Sequence, residues 1–329
     1  MDRNARIVAT GLHAPDRVVP NSYFNELLGE DVDTWLVENL SIRERRWLED
    51  GEGPVDLCEG AARRILSAAG LAPEELDLII ISTDTPQYVS PSTASCLQHR
   101  LGARGAGTFD VNTACAGFVT ALDMGAKYIR SDRRYDNVLV LGAYAMSRFL
   151  AQDDKKTATT FADGAAGVLL QAHAGPEGWQ AANLHTEGQY HDWMGIYGGC
   201  AGNPATAEMV AAGDHLLKLV RKFPKEINPT NWTRMLGQTA REAGFTLQDV
   251  KKIFFTQINI NSIRETLESL GLGMERTHCV MDRFGYTGSA CIPMCLAESD
   301  AAGDLRPGDK IMFMGSGGGL AFACAAFTW

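Results

Sequence analysis

Segments of the first half of the sequence recur in the second half at a nearly constant distance of about 172 to 174 residues. A constant offset of this kind is what a duplicated structural unit leaves in a sequence. The length of 329 residues also exceeds the usual size of one domain. We therefore predict two similar halves, residues 1–172 and 173–329. The matching pairs are residues 76–83 with 250–257, 109–110 with 281–282, and 136–142 with 309–315.

Apolar runs alternate with helical patterns along the chain. Residues 76–82 (Leu-Asp-Leu-Ile-Ile-Ile-Ser) form a short apolar run of the kind that parallel sheets bury on both faces. The alternation is of the βαβ type and predicts an α/β fold. A basic cluster of Arg43, Arg45 and Arg46 is predicted to be a solvated face. The predicted strands are 5–10, 76–82, 137–142 and, after a Gly- and Ala-rich turn, 163–170; the predicted helices are 33–46, 57–69 and 116–129.

Cys115 stands at a predicted turn between a buried strand that ends at residues 108–112 and a helix that follows it. The first N–H groups of a helix have no intrahelical partner, so they favour negative charge and can lower the pKa of a thiol. On these residues alone, Cys115 is either a positioned nucleophile or a small buried packing residue. Because the strand ends of the two halves are expected to meet, Thr256 and Tyr286 are predicted to lie beside it.

Composition argues against several other classes of function. The eight cysteines lack paired metal-binding spacing, and Cys291 and Cys295 are predicted to lie in a helix core, so we expect no metal and reduced thiols in a cytoplasm. The net charge of −10, which no arginine-rich or lysine-rich segment offsets, argues against nucleic acid and anionic membrane as partners. No apolar run is long enough to span a bilayer, and residues 1–19 lack a signal-peptide core.

Five motifs carry a resemblance to a known family. They are residues 110–122 around Cys115, Ser-Ile-Arg-Glu-Arg at 41–45, Ala-Asp-Gly-Ala-Ala at 162–166, Asp-Arg-Phe-Gly-Tyr-Thr-Gly-Ser at 282–289, and Gly-Gly-Gly at 317–319. Over essentially its full length the chain resembles the β-ketoacyl-acyl carrier protein synthase III family of the thiolase fold. The resemblance implies a five-layered αβαβα fold, a homodimer and ping-pong chemistry without a cofactor. It also implies that Cys115 accepts an acyl group from a thioester, and that the N–H groups of Cys115 and Gly318 form the oxyanion hole.

Two departures from the family decide the predicted reaction. Thr256 begins Thr-Gln-Ile-Asn where the family has His-Gln-Ala-Asn, and Tyr286 stands at the position of the family's second-half Asn. In the family, that His and Asn stabilise the enolate formed when a malonyl unit loses carbon dioxide. A Thr or Tyr hydroxyl can donate one hydrogen bond, but it is not an imidazole that titrates near neutral pH.

These departures favour an enzyme of specialised, natural-product biosynthesis. We predict that it forms an acyl-Cys115 thioester and passes the acyl group to a carbon nucleophile, without standard malonyl decarboxylation. Condensation followed by cyclisation is a variant of the same prediction. The alternatives are O- or N-acyl transfer and a noncatalytic dimer partner that shapes the pocket of another synthase.

The resemblance further implies a site for the thioester, carried by coenzyme A or by an acyl carrier protein. Trp35 matches the aromatic residue on which the family stacks the adenine of coenzyme A, and Lys155 falls near an arginine that holds the same nucleotide. Two other family arginines are replaced by Asn39 and Asn261, while Asn259 of the signature is retained. By residue type alone, Trp35 is equally compatible with packing and Lys155 with a plain surface charge.

Carrier-protein docking is implied at Lys218, which matches a family position that contacts the acidic carrier. Lys218, Arg221, Lys222 and Lys225 have the spacing of one helix face, which is also typical of a solvated helix. Glu268 stands at a lysine position of the family, and its negative charge would repel an acidic helix.

Ser90 precedes a Pro-Ser pair, at the position from which the family reaches across the dimer and closes the partner's acyl channel. A serine is smaller than the usual apolar side chain there, which predicts an acyl group longer or bulkier than acetyl unless Tyr88 fills the gap. The aromatic loop 188–202 is predicted to line the entrance. Its His191 could supply the missing imidazole, but the favoured interpretation is a surface histidine.

Overall fold

Strands and helices alternate along residues 3–329, the part of the chain that the computed structural model describes. The strands are Arg3–His13 (β1), Val18–Pro20 (β2), Glu44–Arg46 (β3), Leu78–Ser82 (β4), Gly107–Val111 (β5), Asn137–Ala145 (β6), Asp163–Ala174 (β7), Gly178–Thr186 (β8), Met194–Gly195 (β9), Lys218–Leu219 (β10), Val250–Phe255 (β11), Lys310–Gly317 (β12) and Ala321–Thr328 (β13). The helices are Asn21–Leu28 (α1), Asp33–Leu40 (α2), Pro54–Ala69 (α3), Thr93–Leu101 (α4), Gly117–Ser131 (α5), Lys155–Ala158 (α6), Ala207–Ala211 (α7), Ile227–Glu242 (α8), Ile260–Ser269 (α9), Met281–Phe284 (α10) and Cys291–Ala301 (α11).

Two sheets repeat the same arrangement of strands. In the first sheet, with the order β1-β7-β6-β4-β5, β4 is parallel to β5 and β6, while β7 is antiparallel to β6 and β1. In the second, with the order β11-β12-β13-β8, β11 is parallel to β12, and β13 is antiparallel to β12 and β8. Strands β8, β11, β12 and β13 therefore repeat β1, β4, β6 and β7 in chain order and in direction.

Helices separate and cover these sheets in five layers. Helix α3 packs on β1, β6 and β7, and α4 packs on β4 and β5, at the outer face of the first sheet. Helices α5 and α11 lie between the sheets, and α8 covers β8, β12 and β13 on the far side with α9 beside it. A helix between two sheets is apolar on most faces, and α5 buries Phe118, Val119, Leu122 and Ile129. The predicted αβαβα fold is confirmed.

Local sequence sets the bounds of α3, which contains the predicted helix 57–69. Pro54 is its first residue, where a missing N–H costs nothing, and the N–H of Gly53 donates to the Asp56 carboxylate at 2.7 Å. Gly70 ends the helix with a φ of 64°, in the left-handed region that glycine adopts without strain. The four predicted strands overlap β1, β4, β6 and β7, although the predicted turn at residue 163 already belongs to β7.

The repeat is imperfect at residues 281–282. Residues 281–282, aligned with the strand β5, lie instead in the helix α10, where the N–H of Gly285 donates to the carbonyl of Met281 at 3.0 Å. The carbonyl of Asp282 accepts a bond from the N–H of Arg43 rather than from a neighbour of β11. The division of the chain after residue 172 stays a prediction, and that position falls inside β7, which continues to Ala174.

The predicted helix 33–46 is wrong beyond Leu40. Ser41 ends α2 with a φ of 63°, and the chain then forms β3, which pairs with β2. The side chain of Arg45 is fully buried, so the predicted solvated face is also wrong for this residue. The stretch changes direction because Arg45 reaches into the protein, where backbone and side-chain oxygens accept its hydrogen bonds.

The basic stripe from Lys218 to Lys225 was predicted to be helical, and this is wrong. Lys218 begins the short strand β10, which pairs with β9, and α8 begins only at Ile227. Pro224 disfavours a helical conformation at the residue before it, so α8 does not extend back through the stripe. Within residues 3–329, no helix is long and apolar enough to cross a membrane.

Candidate active site

A tight turn between β5 and α5 holds Cys115. Ala114 has a φ of 47°, and the N–H groups of Ala116 and Gly117 donate to the carbonyls of Thr113 and Ala114, at 3.2 and 2.9 Å. Glycine at position 117 leaves room for Ser82, since a Cβ there would lie 2.0 Å from the Ser82 hydroxyl oxygen. The sequence therefore places Cys115 just before the first turn of the helix, as predicted.

The loop after β12 lies directly against this turn. A Cβ at Gly317 would lie 2.6 Å from both the amide nitrogen of Cys115 and the carbonyl oxygen of Thr113. The contact explains why glycine stands here, because the two backbone segments lie so close together that no side chain fits between them. It also brings Gly318 to the wall of the cavity that Cys115 lines.

A cavity of about 620 Å³ opens above Cys115 between the two halves. Six of the residues predicted for the site line it, which means that the fold brings them together from both halves. They are Trp35, Cys115, Asn259, Asn261, Tyr286 and Gly318.

Burial raises the pKa of the Cys115 thiol well above its usual range, and the negative charge of Asp84 raises it further, whereas a hydrogen bond with Tyr286 lowers it. The net shift is opposite to the lowering that a helix terminus can produce, because burial, which removes water from the thiolate, is the largest cause. Cys115 rests as a neutral thiol. Its attack on a thioester has to be coupled to the loss of its proton.

Tyr286 is buried beside the thiol. Its N–H donates to the carbonyl of Thr160 at 2.9 Å, and its ring lies 5.3 Å from the ring of Phe161. Burial and the neighbouring Cys115 raise the pKa of Tyr286 well above its usual range. The phenol is therefore a neutral hydrogen-bond donor toward Cys115 and does not act as a base at neutral pH.

Thr256 lies behind the cavity wall. Its hydroxyl donates to the carbonyl of Ser316 at 3.3 Å and accepts a bond from the N–H of Ser316 at 2.9 Å. Thr256 is not among the described residues that line the cavity. A hydroxyl that both donates to and accepts from Ser316 fixes the strand that leads to Gly317 and Gly318.

The remaining predicted binding residues divide between the mouth of the cavity and other surfaces. Trp35 lies at the mouth and is 54% exposed. The side chain of Asn261 donates to the carbonyl of Asn39 at 3.2 Å, and Asn259 caps α9 by accepting from the N–H of Asn261 at 2.9 Å. Lys155 pairs with Glu30 at 3.0 Å instead of lining the cavity.

Three lysines that sequence reasoning did not assign to the site line this cavity, namely Lys156, Lys222 and Lys225. Lys222 and Lys225 belong to the basic stripe that was predicted to be helical. Lys218 of the same stripe turns away and pairs with Asp214. The stripe therefore contributes cations to the cavity from an irregular loop.

Ser90 lies apart from Cys115, in a separate surface cavity of about 350 Å³ with Tyr88 and Val89. Val89 is 85% exposed and Tyr88 is 53% exposed. Within one chain Ser90 does not reach the cavity of Cys115. Any effect of Ser90 on the acyl group requires a second copy of the chain.

A smaller cavity of about 260 Å³ lies on the other side of Cys115. The predicted entrance loop contributes His191 and Tyr197 to it, and Asp84 and Tyr144 form further parts of its wall. Asp84 escaped the sequence analysis, although it follows the predicted strand 76–82 at the edge where parallel strands place functional residues. Among residues 3–329, no group of three His, Cys, Asp or Glu side chains is arranged to hold a metal.

Comparison with known proteins gives consistent matches to one family. The family model for 3-oxoacyl-[acyl-carrier-protein] synthase III matches residues 109–188, and the model for its C-terminal part matches residues 240–329. β-Ketoacyl-[acyl-carrier-protein] synthase III of Desulfitobacterium hafniense is 34% identical, with 98% of this chain and 97% of that protein aligned. Acetoacetyl CoA synthase NphT7 of Streptomyces sp. is also 34% identical, over 100% of this chain and 99% of that protein.

Solved structures show the same fold. The crystal structure of 3-oxoacyl-[acyl-carrier-protein] synthase III from Aquifex aeolicus superposes with a TM-score of 0.89 and 28% identity, covering 99% of this chain and 100% of that one. The paired sheets and the cysteine between them define a thiolase-like condensing enzyme of the ketosynthase III type. The chain belongs to the β-ketoacyl-[acyl-carrier-protein] synthase III family.

Proposed function

We propose that this condensing enzyme forms an acyl-Cys115 thioester and passes the acyl group to a carbon nucleophile without standard malonyl decarboxylation. The observation that carries the proposal is how many of the two hydroxyls at the altered positions are free to donate a hydrogen bond to a substrate. Tyr286 lines the cavity with Cys115 and keeps a neutral hydroxyl, and the hydroxyl of Thr256 is occupied by Ser316. One available donor is a weak substitute for the two that stabilise an enolate in the family.

The nucleophile and the oxyanion donors that acyl transfer needs are retained in the proposed site. Cys115 attacks the thioester carbonyl, and the N–H groups of Cys115 and Gly318 are proposed to receive the developing oxyanion. Tyr286 donates to the sulfur and stabilises its anionic form when the acyl bond is made or broken. Thr256 supports this step as a positioning residue, because it fixes Ser316 ahead of the glycines.

The donor is proposed to be an acyl thioester of coenzyme A or of an acyl carrier protein. Lys156, Lys222 and Lys225 present cations to the phosphates that both carriers have, and Trp35 offers an aromatic face at the mouth. The similar Streptomyces protein is by name an acetoacetyl CoA synthase, which supports coenzyme A thioesters as substrates. Placement in specialised biosynthesis rests on the altered Thr256 and Tyr286.

We further propose that the protein is a homodimer in a cytoplasm. The segment around Ser90 is exposed in the single chain, with large apolar side chains at Tyr88 and Val89. Such a patch favours burial against a second copy. In that assembly Ser90 would leave space for an acyl group longer than acetyl.

The experiment that tests the proposed function is intact-protein mass spectrometry with a panel of acyl-coenzyme A and acyl-carrier thioesters. We expect a mass increase on Cys115 with at least one donor, and no increase in Cys115→Ala. Cys200 is an exposed free cysteine and a possible site of nonspecific labelling. Cys200→Ala should therefore keep the label. Absence of any label on folded wild-type protein would contradict the proposal and favour a noncatalytic partner.

The lysines of the cavity provide a prediction about the donor. Replacing Lys222 and Lys225 together with alanine should raise KM for an acyl-coenzyme A donor by roughly tenfold with little change in kcat, because each lysine contributes about 0.7 kcal/mol to phosphate binding at an exposed site. Steady-state kinetics at low and high salt would measure this effect, which salt should weaken.

The matched control for that double variant is Lys218→Ala, which removes a lysine of the same stripe that pairs with Asp214 away from the cavity. Its KM for the coenzyme A donor should stay at the wild-type value. An equal rise of KM in both variants would show that the cavity lysines do not bind the donor.

A further inference from the structure

Asp84 occupies a position next to the nucleophile that the function described so far does not use. It lies two residues after β4, the strand flanked in parallel by β5 and β6. The carboxyl ends of parallel strands meet at one edge of a sheet. Cys115 follows β5 at that same edge, and both residues line the smaller cavity of about 260 Å³.

One oxygen of the Asp84 carboxylate lacks a hydrogen-bond partner in the described part of the protein. Its Oδ1 is buried and has no hydrogen-bond partner among residues 3–329. Leaving a buried carboxylate oxygen unpaired is costly unless a substrate or a reaction uses it. Burial raises the pKa of Asp84 to about 6, so the group can take up and release a proton near neutral pH.

Hydrogen bonds on both sides hold Asp84 in place. The N–H of Thr83 donates to the carbonyl of Val111 at 3.0 Å, and the N–H of Thr85 donates to the Thr83 hydroxyl oxygen at 3.0 Å. The Thr85 hydroxyl in turn accepts from the N–H of Ala145 at 2.8 Å. The carboxylate is therefore presented to the cavity by a fixed backbone, which an acid–base group requires.

Titratable groups from three elements face Asp84. They are Cys115 on the turn before α5, Tyr144 on β6, and His191 and Tyr197 on the loop around β9. The charge of Asp84 raises the pKa values of both Cys115 and Tyr144, which shows that it is electrostatically coupled to the nucleophile. No lysine or arginine is among the described residues of this lining.

We propose that Asp84 is the proton acceptor of the transfer step, an inference that rests on the acyl-Cys115 function proposed above. The acceptor substrate binds in the smaller cavity as an uncharged carbon acid. As its carbon bonds to the acyl carbonyl carbon, its proton passes to the Asp84 carboxylate. The bond from that carbonyl carbon to sulfur then breaks, its electron pair stays on Cys115, and Asp84 returns the proton to the thiolate. The enzyme regains its neutral thiol and its free carboxylate.

This assignment also specifies the class of acceptor. A carboxylate in a cavity without a lysine or arginine in its described lining disfavours a malonyl unit, because like charges repel in a buried site. An uncharged β-keto thioester has an acidic C–H and no carboxylate. The acyl part carries no charge that the Asp84 carboxylate would repel, and its carbon needs a base and no decarboxylation.

The test follows the discharge of the acyl-enzyme. Wild-type protein acylated with octanoyl-coenzyme A is mixed with acetoacetyl-coenzyme A between pH 5 and 9, and loss of the octanoyl label from Cys115 is followed by intact mass. The rate should rise through a midpoint near pH 6 and then level off. Asp84→Asn should acylate normally but discharge roughly 100-fold more slowly, without that midpoint. Asp84→Glu should recover part of the rate.

Controls separate Asp84 from its neighbours. His191→Gln should keep the midpoint, since the exposed imidazole of the same cavity is not the proposed base; loss of the midpoint in this variant alone would overturn the assignment. Hydroxylamine should discharge wild type and Asp84→Asn equally, because this reactive nucleophile needs no protein base.

The outcomes also separate the two proposals. A labelled Asp84→Asn that discharges at the wild-type rate, or a wild-type rate that stays flat between pH 5 and 7, would overturn the role of Asp84 and leave acyl-Cys115 intact. The pH dependence of the wild-type rate is measured without a variant, so this test does not depend on the folding of Asp84→Asn. Failure of wild type to accept any thioester would overturn both proposals together.

Discussion

Replacing Gly317 with alanine is expected to slow acylation of Cys115 by roughly 100- to 1,000-fold, although the nucleophile itself is retained. The new Cβ would lie 2.6 Å from the amide nitrogen of Cys115 and from the carbonyl oxygen of Thr113. Both atoms belong to backbone, which cannot rotate away as a side chain can. The Cys115 turn and the strand that leads to Gly318 would therefore separate, and two proposed oxyanion donors would no longer converge on one oxygen.

Overpacking at this contact should also lower the free energy of unfolding of Gly317→Ala, by roughly 1–3 kcal/mol. The measurements are the rate of acyl labelling by intact mass and a denaturant titration. Gly237→Ala is the matched control, because a Cβ in that α8 position meets only the end of the Arg241 side chain at 3.5 Å. Labelling of Gly317→Ala at the wild-type rate would mean that the close backbone contact does not position the nucleophile.

The sequence predicted the sheets well because their signals are local and occur twice. Residues 76–83 and 250–257 contain similar apolar runs, and each forms the same strand of its sheet, β4 or β11. The placement of Cys115 beside Tyr286 followed from that repeat, since equivalent strand ends of the two halves meet. The hydrophobic periodicity and the constant offset of the repeat were enough to predict these parts of the candidate site.

What the sequence did not predict depends on distant contacts. The pKa of Cys115 is set by burial and by Asp84, which lies beyond the end of another strand. A helix-terminus argument uses only the nearest neighbours of Cys115 along the chain. The hydroxyl of Thr256 is occupied by Ser316, 60 residues away. Asp84 belongs to no spaced motif, so its role depends on the cavity that Cys115 shares with it.

The burial of Arg45 also depends on contacts that are distant along the chain. Charge alone placed it with Arg43 and Arg46 on a solvated face, but its guanidinium is buried. It donates to the carbonyls of Val19 and Thr159 at 3.0 and 2.6 Å. It also donates to the Asn21 side chain at 2.7 Å and lies 4.8 Å from the centre of the Phe24 ring.

Arg45→Met should lower the free energy of unfolding by roughly 3–5 kcal/mol, because methionine fills much of the volume but leaves three buried oxygen acceptors without a donor. Denaturant titration measures the loss. Arg43→Met is the matched control, since Arg43 is exposed two residues away and its replacement should change stability by less than about 0.5 kcal/mol.

Equal stabilities of Arg45→Met and Arg43→Met would show that the buried hydrogen bonds of Arg45 add nothing to folding. The expected difference has a consequence for the site as well. The carbonyl of Thr159 accepts from Arg45, and the next carbonyl along the chain, that of Thr160, accepts the N–H of Tyr286 at 2.9 Å. Loss of Arg45 should therefore loosen the segment that holds Tyr286 beside Cys115, so acyl labelling should fall together with stability in Arg45→Met and stay unchanged in Arg43→Met.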